Sequence, residues 1–306
     1  MELRRDFFMI DITQYLQDIY EDLQRYVDND VCLCKFKELN FEAGALPDYE
    51  DINIQQLYLL RYAFAYAFEY SRMYLDVLSQ MDDVNSISVT SVGCGSMIDY
   101  WSLVHALEIK HKLDCSIRYV GIDKIDWNYK IPKRQNDEVH YSIGNAADFF
   151  TGNSQFDSDV YFFPKSISEF SDSELNAMSN SFSSKNIQKD RFFVCISLRE
   201  DQGSIDRDIQ KTKRLIEAIR KNVFFTKWPY AQYTYYVRND GIALFDNDFQ
   251  YPSEVLEFVT NLNVECANYK IQEENCQSNC KKYLSRWPIL KVGHIRYQVI
   301  MFERVN

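Results

Sequence analysis

Several features that would place a protein in a special class are missing from this chain. It has no uninterrupted apolar run approaching the length that spans a bilayer, and its first residues do not form a signal peptide. It shows no internal repeat and no low-complexity tract. It also lacks an excess of positive charge: the formal net charge is −11, which argues against a protein that coats nucleic acid through its overall field. We therefore expect a soluble, cytoplasmic globular protein.

The composition is sufficient for a substantial core. Of 306 residues, 46% are hydrophobic and 15% aromatic, which allows one large α/β domain or two smaller ones. The eight cysteines fit reduced thiols inside a cell. Four side chains are candidate zinc ligands: Cys266, Cys276, Cys280 and His294. Its closest pair is Cys-x-x-x-Cys instead of the usual Cys-x-x-Cys, so we expect unligated thiols and no metal.

Residues 86–99 (SISVTSVGCGSMID) are the stretch around which the chain is organised. The β-branched residues before Gly93 predict a strand, and the apolar pattern after Gly95 predicts a helix. A strand, a tight glycine turn and a helix N-terminus expose backbone N–H groups and let a ligand approach closely. This is therefore the first candidate binding element.

The run Val92-Gly93-Cys94-Gly95, followed by Asp99, resembles the first motif of class I S-adenosylmethionine-dependent methyltransferases, which have a Rossmann-like fold. Many family members carry an acidic residue where this chain has Ser91 and a third glycine where it has Met97. Position 98 is isoleucine, so the dinucleotide fingerprint G-x-G-x-x-G is not met. The resemblance implies an S-adenosylmethionine site that includes Gly93, Cys94, Gly95 and Asp99.

Two further strands supply acidic residues for this site. Residues 115–122 predict the second strand, which ends at Asp123, where the resemblance places the ribose of the cofactor. Lys124 and the residues after it come where the family often places a side chain against adenine. Residues 138–143 predict the third strand, and Asp148 is the candidate acceptor from the adenine amino group. Asn145 is a lesser candidate for the same contact.

The fourth predicted strand, residues 159–163, ends at the segment expected beside the transferable methyl group. The resemblance places Phe163 and Pro164 in the cofactor site. The Asn/Asp-Pro-Pro-Tyr motif of amino-group methyltransferases is absent, and Lys165, Ser166 and Glu169 stand there instead as candidate catalytic residues. Lys165 or Ser166 would position the acceptor and Glu169 would take a proton. The alternative is that Glu169 pairs with Lys165 or belongs to the next helix.

The remainder of the chain extends this α/β unit. We predict a helical segment over residues 1–85, and a Rossmann-like, mostly parallel sheet flanked by helices over residues 86–306. Residues 191–198 and 296–304 predict further strands, and 205–222 a helix. A β-hairpin (233–237 with 242–245) and a mostly helical stretch form an insertion at about 222–290. The short run 31–34 is a candidate strand.

A long helix over about residues 53–81 carries tyrosines at every fourth position: 58, 62, 66, 70 and 74. One interpretation is a packing helix whose tyrosines border the core. The other places one face of the helix over the ligand pocket, with Arg61, Tyr62, Tyr66 and Glu69 directed towards it. Both interpretations remain open from the sequence.

The resemblance implies methyl transfer from S-adenosylmethionine to an acceptor that is an RNA, a protein or a small molecule. The alternative is a protein that has kept the fold and lost the reaction, because fold alone does not establish activity. RNA could contact the basic helix around Lys211–Lys221 or a second cluster, Lys281, Lys282, Arg286 and Lys291. The alternative is that these basic residues form solvent-exposed faces of the protein and bind no RNA.

Overall fold

The computed structural model describes residues 11–40, 46–81, 84–153, 155–199, 202–222, 225–227, 232–236, 242–243, 245, 249–270, 280–292 and 294–304. Two helices precede the sheet, α1 (Ile12–Val27) and α2 (Ile52–Ser79). Each begins at an aspartate, Asp11 or Asp51, whose side chain accepts from backbone N–H groups of the first turn. The long helix predicted over about residues 53–81 is confirmed by α2, and α1 lies within the segment predicted to be helical. The candidate strand at 31–34 is wrong, because a 3₁₀ helix (Cys34–Asn40) begins there.

The strands of the central sheet alternate with helices along the chain. The strands are β1 (Ser86–Val92), β2 (Ser116–Asp123), β3 (Glu138–Ile143), β5 (Val160–Phe163), β7 (Arg191–Ser197) and β12 (His294–Arg304). A separate small parallel pair is formed by β4 (Gln155–Phe156) and β6 (Asn186–Ile187). The connecting helices are α3 (Ile98–Ile109), α4 (Ala146–Gly152), α5 (Asp172–Ser184) and α6 (Gln202–Arg220). The predicted α/β alternation is confirmed.

The strand order is β3-β2-β1-β5-β7-β12, parallel up to β7, with β12 antiparallel to β7. This is a Rossmann-like, mostly parallel sheet. Because β1, β2, β5 and β7 are parallel, their carboxyl ends lie at the same edge of the sheet. Chain order reverses between β1 and β5, and this reversal forms a switch point at that edge. In open α/β sheets the ligand crevice lies outside the strand ends at that point.

Alternate residues of the middle strands belong to two separate cores. Val160 and Phe162 of β5 pack in the core that α2 and α3 share, whereas Tyr161 and Phe163 pack in the core beneath α5 and α6. Every residue of β5 is buried, as expected for a parallel strand covered on both faces. The sheet edge that carries the switch point is therefore held rigidly from both sides.

The C-terminal part of the chain packs on the N-terminal helices. Helices α7 (Ser253–Glu265), α8 (Ala267–Lys270) and α9 (Cys280–Leu284) complete this layer, in which α7 contacts α1 and α2, and α9 contacts the 3₁₀ helix. Cys266 and Cys280 are buried there. Cys276 and the side chain of His294 lie outside the described residues, among which no three metal-ligating side chains cluster.

The predicted hairpin of residues 233–245 is wrong in its pairing. Strand β9 (Gln232–Tyr236) pairs with β12, which also pairs with β8 (Phe225–Lys227), and β10 (Ile242–Ala243) pairs with β11 (Lys291–Val292). An isolated two-stranded hairpin is marginally stable, whereas a strand added to a large sheet gains its packing. Residues 237–241 and 244 lie outside the described residues. Within the described part of the chain, no helix combines the length and the apolar character needed to cross a bilayer.

Candidate functional site

The glycine turn after β1 has backbone angles that glycine tolerates best. Gly93 has φ +74° and Gly95 φ +54°, both in the left-handed region. The N–H groups of Gly93 and Cys94 both donate to the carbonyl oxygen of Ile122, at 2.8 and 3.2 Å. The turn is thereby tied to the end of β2, and α3 begins directly beyond it.

Asp123, at the end of β2, connects the glycine turn to the next loop. Its Oδ2 accepts from the Gly95 N–H at 2.8 Å, and its Oδ1 accepts from the Ile125 N–H at 2.9 Å. Desolvation by burial raises the pKa of this carboxyl above its usual value. A carboxylate has about four acceptor positions, so Asp123 keeps acceptor capacity while it orders both loops.

Ser166 joins the loop after β5 to the glycine turn. Its hydroxyl donates to the carbonyl oxygen of Val92 at 2.5 Å, and the side chain is 4% exposed. A Cβ atom on Gly93 would lie only 2.5 Å from the Ser166 Cβ. Ser166 therefore holds the ends of β1 and β5 together, and the acceptor contact predicted for it stays a prediction.

Lys165 belongs to a buried polar group on the same loop. Its Nζ lies 2.8 Å from the Oε2 of Glu69 on α2 and donates to the Leu198 carbonyl oxygen at 2.7 Å. The other Glu69 oxygen accepts from the Ser197 hydroxyl at 2.5 Å. The side chains of Lys165 and Glu69 are 12% and 4% exposed. This group links α2 to the ends of β5 and β7.

Glu169 pairs with Arg199, which follows β7. Their side chains are 37% and 27% exposed, and both line the cavity described next. The alternative pairing of Glu169 with Lys165 is wrong. Desolvation inside the cavity raises the pKa of Glu169 to about 7, although the positive charge of Arg199 lowers it. Glu169 is thus an accessible carboxyl whose pKa lies close to neutrality.

A cavity of about 1210 Å³ opens at the carboxyl ends of the strands. Tyr58, Tyr62, Tyr66 and Tyr70 of α2 form one wall of it, with Tyr49 and Trp127 beside them. We call these six residues the aromatic wall. Neighbouring rings contact each other: the centroids of Tyr62 and Tyr66 lie 5.9 Å apart and those of Tyr58 and Trp127 lie 5.7 Å apart. Tyr74 instead stacks on Phe162 in the core.

Most of the predicted site residues meet at this cavity. The cofactor candidates that line it are Gly93, Cys94, Gly95, Asp123, Lys124 and Pro164. The catalytic candidates Lys165, Ser166 and Glu169 line it too. Of the α2 residues, Tyr62, Tyr66 and Glu69 face it, but Arg61 does not. The side chain of Arg61 is rotated by about 100° around the helix axis from that of its neighbour Tyr62. It donates to the carbonyl oxygens of Tyr283 and Leu284.

Three cofactor candidates lie elsewhere. Asp99 is fully buried beneath the turn and accepts from the Tyr119 hydroxyl at 2.9 Å. Phe163 is fully buried in the core under α5 and α6, because side chains alternate along β5. Asp148 is exposed in the first turn of α4, and Gly144 and Ala146 line the cavity there instead. The structure does not bring these three side chains to the ligand space.

Sequence reasoning missed Tyr49, Arg199 and Arg207, which also line the cavity. Arg199 comes just after a buried parallel strand, so its position at a strand end was an available signal. Tyr49 lies in a polar segment before α2 that carries no motif. Arg207 lies on α6, among other charged residues, and nothing in the sequence directs it to the site.

The basic residues of α6 have partners within the protein. Lys211 donates to the carbonyl oxygens of Ser168 and Phe170, at 2.7 and 2.5 Å, and Arg214 pairs with Asp172. Arg220 pairs with Glu217. Lys211 thereby fastens α6 to the loop after β5, and Arg214 fastens it to the start of α5, whereas the pair of Arg220 and Glu217 lies within α6. These contacts give the charges a role within the fold, and binding of RNA to them stays a prediction.

No protein-family model matches the chain, and no curated protein matches its sequence. Among solved structures it is similar to the plantazolicin methyltransferase BpumL, with 10% identity, 95% of this chain and 99% of that chain covered, and a TM-score of 0.41. It is also similar to a didemethyltoxoflavin N1-methyltransferase from Burkholderia thailandensis (10% identity, 78% and 79% covered, TM-score 0.39). A third similar structure is the [4+2]-cyclase SpnF, with 11% identity, 76% of this chain and 80% of that chain covered, and a TM-score of 0.36.

Many of the similar structures are S-adenosylmethionine-dependent methyltransferases of class I. The similarity concerns the α/β fold and is too low to indicate an acceptor or a reaction. The chemistry of the site depends on the side chains that line it, since a fold alone does not define a reaction.

The first prediction concerns the turn. Gly93→Ala should lower the free energy of unfolding by about 2 kcal/mol or more, because a left-handed residue with a Cβ costs ~1–2 kcal/mol and this Cβ also meets Ser166. Urea denaturation would measure it. Gly144→Ala is the matched control, since a Cβ there meets nothing within 4 Å. Equal stability of the two variants would contradict the role assigned to the turn.

A second prediction concerns Asp99. Burial raises the pKa of its carboxyl to about 7, whereas an unfolded chain has about 3.9. Between these values the folded protein keeps a proton that the unfolded chain has lost, so the contribution of Asp99 to stability falls as pH rises. Asp99→Asn removes this dependence. The free energy of unfolding of the variant, relative to that of the wild type, should therefore increase as the pH is raised from about 4 to about 8.

Denaturation at both pH values would measure this gain. Asp148→Asn, at an exposed position, controls for the chemistry of the substitution. A pH-independent difference between Asp99→Asn and the wild type would refute the assignment of a buried, protonated Asp99.

Proposed function

We propose that this protein is an S-adenosylmethionine-dependent methyltransferase that acts on a small molecule bound in the cavity. The observation that carries the proposal is the convergence of the glycine turn, Asp123 and the Glu169–Arg199 pair on one cavity at the switch point. A volume of about 1210 Å³ exceeds the ~300–1,000 Å³ of a typical single-ligand pocket, so it accommodates a cofactor beside an acceptor.

The residues at the β1 and β2 ends fit the cofactor. Asp123 lines the cavity with acceptor capacity left over for a ribose diol. Ile125, Gly144 and Ala146 supply an apolar, open space beside it, and a Cβ at Gly144 would meet nothing within 4 Å. Gly93 and Gly95 keep side chains out of the space next to the turn. We assign nucleoside binding to Asp123 and this apolar space.

Bound S-adenosylmethionine supplies a methyl group made electrophilic by its sulfonium. The protein then has to orient the acceptor and accept its proton. Glu169 is suited to accept that proton, because a base works best when its pKa is near the operating pH and the pKa of Glu169 is about 7. Lys165 and Ser166, fully engaged with Glu69, Leu198 and Val92, hold the loop that carries it.

Calorimetric titration with S-adenosylmethionine and with S-adenosylhomocysteine tests the cofactor assignment. We expect both to bind the wild-type protein. Absence of binding to folded protein would overturn the proposal. Binding without transfer of radioactive methyl to any fraction of a cell extract would support the alternative, a methyltransferase fold that has lost its reaction.

The third prediction is that Asp123→Ala weakens S-adenosylmethionine binding by roughly 1.5–3 kcal/mol, the scale of hydrogen bonds to a charged group. Asp123 also orders the Gly95 and Ile125 N–H groups. Asp123→Asn, which keeps one acceptor oxygen, is therefore the matched variant and should lose less. Unchanged affinity in a folded Asp123→Ala protein would show that this carboxylate does not bind the cofactor.

The fourth prediction is that Glu169→Gln lowers turnover by about 10²–10⁴-fold, the range for removal of a general base, with cofactor affinity preserved. The amide keeps the shape of the side chain and cannot accept the proton. The acceptor for this assay is the one identified by labelling with radioactive cofactor. Near-normal turnover would reduce Glu169 to a partner of Arg199.

A further inference from the structure

The aromatic wall occupies the side of the cavity formed by α2. The ring planes of Tyr62 and Tyr66 are inclined by 16°, and those of Tyr66 and Tyr70 by 25°, so these rings form a nearly continuous stacked series. The Tyr62–Tyr66 and Tyr66–Tyr70 centroid distances are 5.9 and 5.8 Å. Such a surface suits a planar ligand, because aromatic rings gain energy from stacked and edge contacts beyond the area they bury.

An aromatic wall can also recognise a cationic ligand. Here that role is already filled from inside the protein, since the Lys165 ammonium lies 5.9 Å from the Tyr66 ring centroid. Arg199 and Arg207 place positive charge at one part of this cavity, whose lining elsewhere includes acidic side chains such as Asp123. An anion is therefore favoured locally, beside these two guanidinium groups.

Arg199 is the cation that an incoming ligand can reach. Lys165 is 12% exposed and already bound by Glu69 and a carbonyl oxygen, whereas the Arg199 side chain is 27% exposed in the cavity. A guanidinium has five N–H donors. Within the described part of the chain, the Arg199 guanidinium donates to Glu169 and, weakly, to the Lys165 carbonyl oxygen at 3.4 Å. Donors remain for a ligand carboxylate.

Glu169, the present partner of Arg199, is easily displaced. The charged groups that act on it are Arg199 and Lys124, which favour its ionised form, and Asp123 and Asp208, which oppose it. Tyr49, Tyr58 and Tyr70 also lie within its field. Burial outweighs the favourable charges and raises the pKa of Glu169. A carboxyl group that is protonated in part of the molecules near pH 7 competes less strongly for the guanidinium than a fully ionised ligand carboxylate does.

We propose that the acceptor is a planar aromatic carboxylate, whose ring packs on the aromatic wall and whose carboxylate replaces Glu169 on Arg199. This inference rests on the proposed function, since it names the acceptor of that same site. Planar bidentate recognition of carboxylate is the geometry that arginine provides best.

The exchange has a consequence for Glu169. Once the ligand carboxylate binds Arg199, Glu169 loses the nearest charge that lowers its pKa and gains a negative neighbour, so its pKa rises further. Binding of an aromatic carboxylate near pH 7 is then accompanied by uptake of a proton from the buffer. A protonated Glu169 cannot take a proton from the acceptor, so methyl transfer proceeds from the fraction of Glu169 that stays ionised, and turnover should rise with pH as this carboxyl ionises.

The test is calorimetric titration of the S-adenosylhomocysteine-saturated protein with 4-hydroxybenzoate, 4-hydroxybenzamide and cyclohexanecarboxylate. We expect 4-hydroxybenzoate to bind about tenfold or more tightly than either analogue, because the amide lacks the charge and the cyclohexane ring lacks the flat face. Titration in buffers of different ionisation enthalpy should show proton uptake.

Variants assign these effects to residues. Arg199→Gln should abolish the preference for the acid over the amide, and Glu169→Gln should abolish proton uptake while the acid still binds. Tyr62→Leu should reduce the preference for the aromatic acid over cyclohexanecarboxylate. Arg191→Gln is the matched control, since this arginine pairs with Glu303 away from the cavity and its loss should change none of the three.

Equal binding of acid and amide, or a preference that survives Arg199→Gln, would overturn the proposal. Failure of 4-hydroxybenzoate to bind a protein that binds S-adenosylhomocysteine would also overturn it and leave the proposed function standing. The protein could also bind 4-hydroxybenzoate with the expected variant effects and yet bind no S-adenosylhomocysteine. That result would support the acid site and refute the methyltransferase function.

Discussion

The hydrogen bond from the Ser166 hydroxyl to the Val92 carbonyl oxygen is the contact on which the site depends. It joins the ends of β1 and β5, the two strands between which chain order reverses, and it requires that residue 93 have no side chain. The glycine turn lies on one side of this contact, and the loop that carries Lys165 and Glu169 lies on the other. Both halves of the cavity are therefore fixed relative to each other by one buried serine.

The order of the elements could be predicted because it depends on local patterns. The strand before Gly93, the helix after Gly95 and the strand that ends at Asp123 each follow from residues close together in sequence. The pairing of residues 232–236 could not be predicted in this way. It depends on β12, more than fifty positions further along the chain, and the local hairpin signal competes with that distant partner.

The site was predictable where it follows strand ends and unpredictable where it depends on side-chain direction. Asp99 and Phe163 are next in sequence to residues that line the cavity. Their own side chains point into the core, because side-chain direction changes from one position to the next along a helix or a strand. Tyr58 to Tyr70 face the cavity while Tyr74 enters the core, so both interpretations of the tyrosine series hold for part of α2. The packing of α2 on the sheet decides at which tyrosine the series changes from lining the cavity to packing in the core.

Two acid–base pairs line the same cavity and are suited to different tasks. Glu69 and Lys165 are almost inaccessible and each has a further polar partner, Ser197 for one and Leu198 for the other. Removal of one partner from a buried pair of this kind costs about 3–5 kcal/mol, because the other charge is left uncompensated. This pair therefore serves to hold α2 on the strand ends. Glu169 and Arg199 are partly accessible, and burial already disfavours the charge on Glu169. A ligand can therefore exchange with the second pair while the first keeps the cavity in place.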